Sequence, residues 1–220
     1  YHPRHATQPY PGTLCTSVNA EVVHGVPTRD ITLAKGDLIG LDIGMKWPAP
    51  TFSPSTAVEG EREGEGSRLT KGLDTDTAVT VAVGKISKQA QRLLTVTERA
   101  LEAGIAAAVV GSRVSDIARA VQTIVEHAGF SVVRDLVGHG VGLAVHEEPQ
   151  VPNFWDPRNP DVELVDGMVI AIEPMVAAGG WRVRTLPDGW TIVTADGSLA
   201  AHFEHTILIT KERTEIITRP

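Results

Sequence analysis

Five residues carry the chemistry this sequence offers. Asp42 stands in LDIG, Asp76 in TDTAVTV, His139 in GHGVGLAVHEEPQVP, Glu173 in IEPM and Glu204 in FEHT. Four carboxylates and one imidazole form an oxygen-rich ligand set, harder than the thiolate sets of structural zinc sites. Such a set suits divalent ions that activate water for hydrolysis. His24 in VHGVP and His146 in VHEEP could work beside that centre without binding it, adding donors where charge develops. Taken singly, each residue also has an ordinary reading, as a turn aspartate, an ion-paired strand glutamate or a hydrogen-bonded core histidine. Their contexts argue for more. LDIG, VIAIEP and AHFEHTILI each set a carboxylate within or at the edge of an apolar strand. A lone buried carboxylate needs a cation, a partner or a shifted pKa. Four in one domain would repel one another, and two divalent cations would neutralise them. Gly138, Gly140 and Gly142 around His139 allow close backbone approach. No GxSxG element offers a rival nucleophile, and Cys15 sits in an apolar stretch without an activating pair.

These residues need strands and helices to position them. Residues 38–46 and 77–83 are β-branched, short and glycine-bounded, which predicts strands. Residues 87–108 carry apolar or small side chains at a helical period, with Ser87 as the expected N-cap. A second helical face runs from Val114 to Ala128, and Gly129 is placed to end it. Further strands are expected at 131–134, 168–173, 181–186, 191–195 and 203–210. The pattern predicts an α+β domain with helices covering one face of a curved, mainly antiparallel sheet. Residues 47–71 differ. Their prolines and Glu/Gly/Arg run lack an apolar period, so they read as a surface loop or loose hairpin inserted within the domain.

The 220 residues, 42% hydrophobic and 21% charged, suit one globular domain over 1–220. A net charge of −7 argues against a specific nucleic-acid surface. The single cysteine excludes an intramolecular disulfide and favours a reducing, cytoplasmic setting. No apolar run is long enough to span a bilayer. The opening YHPRHATQPYPG is turn-rich and lacks an initial Met, so the chain is expected to be missing its first elements.

The segment YPGTLCTSVNAEVVHGVP (10–27) closely resembles the opening signature of the type I methionine aminopeptidases. GHGVGLAVHEEPQVP, IEPM, DGWT and FEHTI resemble four more blocks of that family, in the same order. The resemblance implies the pita-bread fold, α+β with a pseudo-two-fold. It implies removal of the initiator methionine from new polypeptides at a dinuclear metal centre. By motif, Asp42, Asp76, His139, Glu173 and Glu204 resemble the metal ligands. Glu173 also resembles the proton-shuttling carboxylate. His24 resembles the histidine near the scissile amide, and His146 the one that stabilises the tetrahedral oxyanion. Tyr10, Cys15 and Trp190 fall in segments of the methionine pocket, though each also suits ordinary packing. The metals could be Co, Mn, Fe or Zn, because mixed carboxylate and imidazole ligation admits all four. The resemblance further implies a peptide or nascent-chain N-terminus as substrate, transient ribosome association and a monomer.

Departures from the family pattern are few. The two aspartates are separated by the 47–71 insertion, and Asp74 shares the strand face of Asp76 as a rival ligand. Val145 stands where the family often has Phe, and His202 where it often has Gln. A proline-directed aminopeptidase of the same fold would use a similar ligand set, and an inactive pita-bread domain could serve as a binding module. The CTSVN…HGVP block and the EPM and EHT contexts favour the methionine enzyme.

Overall fold

A computed structural model describes residues 9–47 and 72–219. The expected loop at 47–71 therefore lies, apart from Trp47, outside the described residues. The longest strands are β3 (Leu38–Trp47) and β4 (Leu73–Ala82), paired antiparallel from Leu38 opposite Ala82 to Trp47 opposite Leu73. Residues 48–72 thus join the two ends of a single hairpin. The carboxylates are not at its outer ends. Asp42 lies opposite Ala78 and Asp76 opposite Gly44, well inside the ladder. The second strand also starts earlier than expected, because its even-numbered residues 74, 76, 78 and 80 form a continuous buried face.

The main sheet adds β1 (Cys15–Val18), β6 (Gly138–Gly140), β7 (Glu147–Val151), β8 (Val169–Ile172), β13 (Glu204–Ile209) and β14 (Thr214–Ile216). Its order is β1-β3-β4-β13-β8-β6-β7, with β14 on β13, and its pairings are antiparallel. A small sheet joins β2 (Glu21–Val23), β10 (Val183–Thr185) and β11 (Ile192–Thr194). Another joins β5 (Ser131–Val132), β9 (Met175–Ala177) and β12 (Ala200–His202).

Two helices lie behind the main sheet. In α1 (Lys88–Ala107) the Ser87 hydroxyl accepts from the Ala90 amide at 3.1 Å, as an N-cap should. In α2 (Val114–His127) the chain leaves through Gly129 at φ +76, a left-handed conformation that glycine adopts without strain. Leu93, Leu101 and Ile105 of the first helix and Ile117, Val121 and Val125 of the second share one core with Ile170, Ile172, Ile207 and Ile209. Each such side chain contributes about 1.5–3 kcal/mol on burial. Gly104 allows the close approach: a Cβ there would sit 3.0 Å from Val121 and 3.2 Å from Ile172.

Strand alternation then decides what faces the other way. Ile207 pairs with Ile170 toward the helices, so Glu204 and Thr206, of opposite parity, project from the opposite face. Glu204 is opposite Ala78, Ala78 opposite Asp42, and Asp42 opposite Cys15. In the next row His139 is opposite Ala171, and Ala171 opposite Thr206. Thr206 in turn exchanges hydrogen bonds with the Asp76 backbone, donating to its carbonyl at 2.8 Å and accepting from its amide at 2.9 Å. Two adjacent rows across five strands therefore bring the carboxylates and His139 to one place.

Candidate metal centre

Ligand-capable atoms of Asp42, Asp76 and Glu204 lie within 4.8 Å of one another, as do those of His139, Glu173 and Glu204. Asp76, His139 and His146 form a third such group. All five expected ligands thus converge, at the floor of a cleft of about 560 Å³ whose walls include Tyr10, Cys15, His24, His146 and Trp190. Asp74 shares the face but not the cluster. Its carboxylate accepts from Lys46 Nζ at 2.7 Å, so a fixed cation of the protein already pairs it.

The electrostatics of the cluster are unbalanced. Burial, then the charges of Asp42 and Glu173, push Asp76 up to about 8. Burial, then Asp76, Glu173 and Asp42, hold Glu204 well above the usual carboxylate range. Burial likewise raises Asp42. Glu173 goes the other way: burial opposes its ionisation, but His202, His139 and His146 outweigh it and leave the group lowered. Glu204 is 2% exposed, and its Oε1 has no hydrogen-bond partner among the described residues. His139 Nδ1 lies 2.9 Å from the Gly140 carbonyl, which can only accept, so Nδ1 carries the proton. His139 Nε2 lies 3.5 Å from Glu173 Oε1. A ring nitrogen and a carboxylate oxygen facing each other, and a buried carboxylate oxygen with no partner among the described residues, both fit the ligand set of a divalent cation.

The flanking residues are held firmly. His24 has φ +57, uncommon for a non-glycine residue. The following Gly25 packs so tightly on β1 that a Cβ would sit 2.1 Å from the Thr16 carbonyl. The Thr16 amide donates to the Gly25 carbonyl at 2.8 Å, and the Gly25 amide to Ser17 Oγ at 3.1 Å. Asp188 Oδ1 accepts from the amides of Trp190 and Thr191, both at 2.9 Å. Tyr10 meets the Trp190 ring edge-on at 5.2 Å and donates to the Gly25 carbonyl at 2.8 Å. Burial and the Asp42 charge push the Cys15 thiol up to about 12, so it stays neutral and is no nucleophile. His146 is exposed at the cleft with its ring 4.0 Å from that of His139, and desolvation by the cleft's lining, then the charge His139 would carry, lower its pKa to about 4.

Sequence reasoning noted His202 only as a departure from a pattern. The structure places it in the cluster, 4% exposed, with Nε2 3.3 Å from Glu173 Oε2 and 4.0 Å from Glu204 Oε2. A histidine two residues before a ligand carboxylate, on the same strand parity, was the available signal.

A curved antiparallel sheet with helices behind it and a carboxylate–imidazole cluster at the floor of an open cleft defines a metal-dependent hydrolase of the pita-bread type. The model of metallopeptidase family M24 matches residues 66–211. Methionine aminopeptidase 1 of Bacillus subtilis is 46% identical over 94% of this chain and 74% of its own length. The methionine aminopeptidase of Clostridium acetobutylicum is 42% identical over 95% of this chain and 74% of its own. The solved methionine aminopeptidase of Thermotoga maritima superposes with a TM-score of 0.79 at 43% identity, over 94% of this chain and 74% of that one. The chain belongs to metallopeptidase family M24, among its methionine aminopeptidases. A prolidase from Pyrococcus horikoshii, at 20% identity and a TM-score of 0.66, shares the fold alone.

Proposed function

We propose that this chain removes the N-terminal methionine from peptides and nascent proteins, with Asp42, Asp76, His139, Glu173 and Glu204 holding two divalent ions. The observation that carries this reading is the convergence of the five groups, with a Glu204 oxygen that has no partner among the described residues and carboxyl groups whose ionisation burial and mutual repulsion oppose. Two bound ions supply Lewis-acid activation of water and of the scissile carbonyl. The protein's own groups do the rest. Glu173, lowered and ionised at neutral pH, accepts the proton of the attacking water and returns it to the leaving amine. His146, neutral at that pH, donates N–H to the oxygen where charge develops. His24 contacts the amide beside the scissile bond. Tyr10, Cys15 and Trp190 receive the methionine side chain, whose thioether suits aromatic walls. The metal is Co, Mn, Fe or Zn, with availability deciding among them. Among the described residues no helix is long and apolar enough to cross a membrane. A cytoplasmic monomer meeting nascent chains at the ribosome fits the substrate.

Chelation followed by dialysis is expected to abolish cleavage of Met-Ala and Met-Gly peptides, and Mn, Fe or Co to restore it. Met-Lys and Xaa-Pro peptides, run alongside, should be poor substrates. Full cleavage by metal-free protein would end the hydrolytic-metal reading, and preference for Xaa-Pro would move the chain to the proline-directed enzymes.

The same reading treats 1–220 as one catalytic domain with 47–71 as an insertion at a hairpin tip. The Trp47–Leu73 pairing supports it, because the ladder already closes there. Replacing residues 48–71 by Asn-Gly, a turn that matches strand twist, should leave kcat on a Met-Ala tripeptide within a few-fold. A shortened protein that binds two metals yet no longer cleaves the tripeptide would mean that the segment reaches the active site.

A further inference from the structure

His202 is clamped at its backbone and turns its ring toward Glu173. Its amide donates to Thr80 Oγ1 at 2.9 Å, and the same hydroxyl donates to its carbonyl at 2.8 Å. Thr80 is 4% exposed, so the clamp is dry. On the other side His202 is opposite Met175 in the β9–β12 ladder, two residues beyond Glu173. The strand is therefore fixed from both flanks, and the imidazole it carries is fixed with it. Its Nε2 has no well-aligned hydrogen-bond acceptor among the described residues, although a carboxylate stands close by. Its nearest carboxylate is Glu173, whose two oxygens divide their surroundings. Oε1 faces the ligand His139 at 3.5 Å, and Oε2 faces His202 at 3.3 Å.

We propose that His202 is a positioning residue for Glu173. Its Nε2–H donates to Oε2 when the centre is loaded, leaving Oε1 beside His139 for the metal and fixing the carboxylate that moves the proton. The proposal rests on the reading of Glu173 as a ligand and proton carrier. Contacts of this kind are commonly long and misaligned before loading and tighten afterward. Ligand carboxylates generally need such an outer partner, and losing one costs about 10–100-fold in metal affinity or activity. An amide and an imidazole present an N–H at similar reach, whereas leucine fills the volume without a donor.

The test compares wild type, His202→Gln and His202→Leu by Mn titration calorimetry and by melting of the metal-free protein. His202→Leu should weaken Mn binding about 10–100-fold while two ions still bind at saturation. His202→Gln should stay within a few-fold of wild type. In the metal-free protein His202→Gln should melt near wild type, because an amide can still face Glu173 Oε2, whereas His202→Leu leaves that buried oxygen without its nearest donor and should melt lower. Mn affinity unchanged in His202→Leu, or equally weak in His202→Gln, would overturn the proposal. So would loss of one ion from the stoichiometry of His202→Gln, which would make His202 a ligand. A metal-free His202→Gln that melts as low as His202→Leu would reduce the ring to packing. Wild type that binds no Mn would overturn the site reading itself, and this proposal with it.

Discussion

Glu204→Ala and Asp76→Ala are each expected to lower turnover of a Met-Ala peptide to near background. Asp74→Ala should retain activity within a few-fold. Glu204 stands where the two ligand groups meet: it lies within 4.8 Å both of Asp42 and Asp76 and of His139 and Glu173. Removing it takes a carboxylate from both halves and leaves the bound cations with excess positive charge. The loss should exceed the ~10–100-fold typical of removing an outer partner. Asp76 likewise joins Asp42 on one side and the two histidines on the other. Asp74, only two residues away, spends its charge on Lys46 at 2.7 Å. Metal content after dialysis separates the cases. Glu204→Ala and Asp76→Ala should retain fewer ions than wild type, and Asp74→Ala the full complement. A dead, metal-poor Asp74→Ala beside an active Asp76→Ala would mean that the ligand register across the insertion is shifted by two residues. Both variants of the first pair remove a buried carboxyl group whose ionisation its surroundings oppose, so neither should fail merely by unfolding. Burial and neighbouring carboxylates already hold both groups in their costly raised state.

The candidate cluster was legible chiefly because Asp42, Glu173 and Glu204 interrupt apolar runs. Asp42 in LDIG and Glu204 in FEHTILI are expensive where they stand unless something offsets their charge. Both helices were legible for a different reason: periodicity over 14 and 20 residues leaves little ambiguity. What was not legible is pairing between short strands. β6 is Gly138–Gly140 and β12 is Ala200–His202, each 3 residues long. Segments of that length carry no period, and GHG reads as a loop for its glycines. Their strand character comes from partners far along the chain, such as Ala171 for His139 and Met175 for His202. His202 shows the consequence. The sequence marks it as unusual, but only the β9–β12 ladder brings it beside Glu173. Asp74 shows the same from the other side. Alternation put it on the correct face, yet the Lys46 side chain that occupies it could be found only from the cross-strand register.

His146→Ala should lower kcat by about 10²–10³ with little change in KM. The argument turns on which charge state the imidazole holds and when its hydrogen bond matters. Its pKa near 4 leaves it neutral at the pH of turnover, so it neither delivers a proton nor attracts the substrate electrostatically. A neutral N–H bonds weakly to an uncharged carbonyl and strongly to the same oxygen once charge has developed, so its contribution is concentrated in the transition state. The residue is placed for this: it lines the cleft, with a ring nitrogen within 4.8 Å of ligand-capable atoms of Asp76 and His139 and its ring tilted 45° to that of His139 at 4.0 Å. Metal binding should therefore survive its loss, unlike the loss of Glu204. Steady-state kinetics on a Met-Ala tripeptide, with metal content measured in parallel, distinguish the roles. Unchanged kcat with raised KM would reassign His146 to ground-state substrate binding. A loss of bound metal matching the loss of rate would make it a ligand, and the donor role would have to be given up. The low pKa adds a second check. Because the neutral form dominates from about pH 5 upward, the wild-type to His146→Ala ratio of kcat should stay flat between pH 6 and 8. A ratio that changed tenfold across that interval would show that a protonated His146 takes part, contrary to the donor role argued from its surroundings.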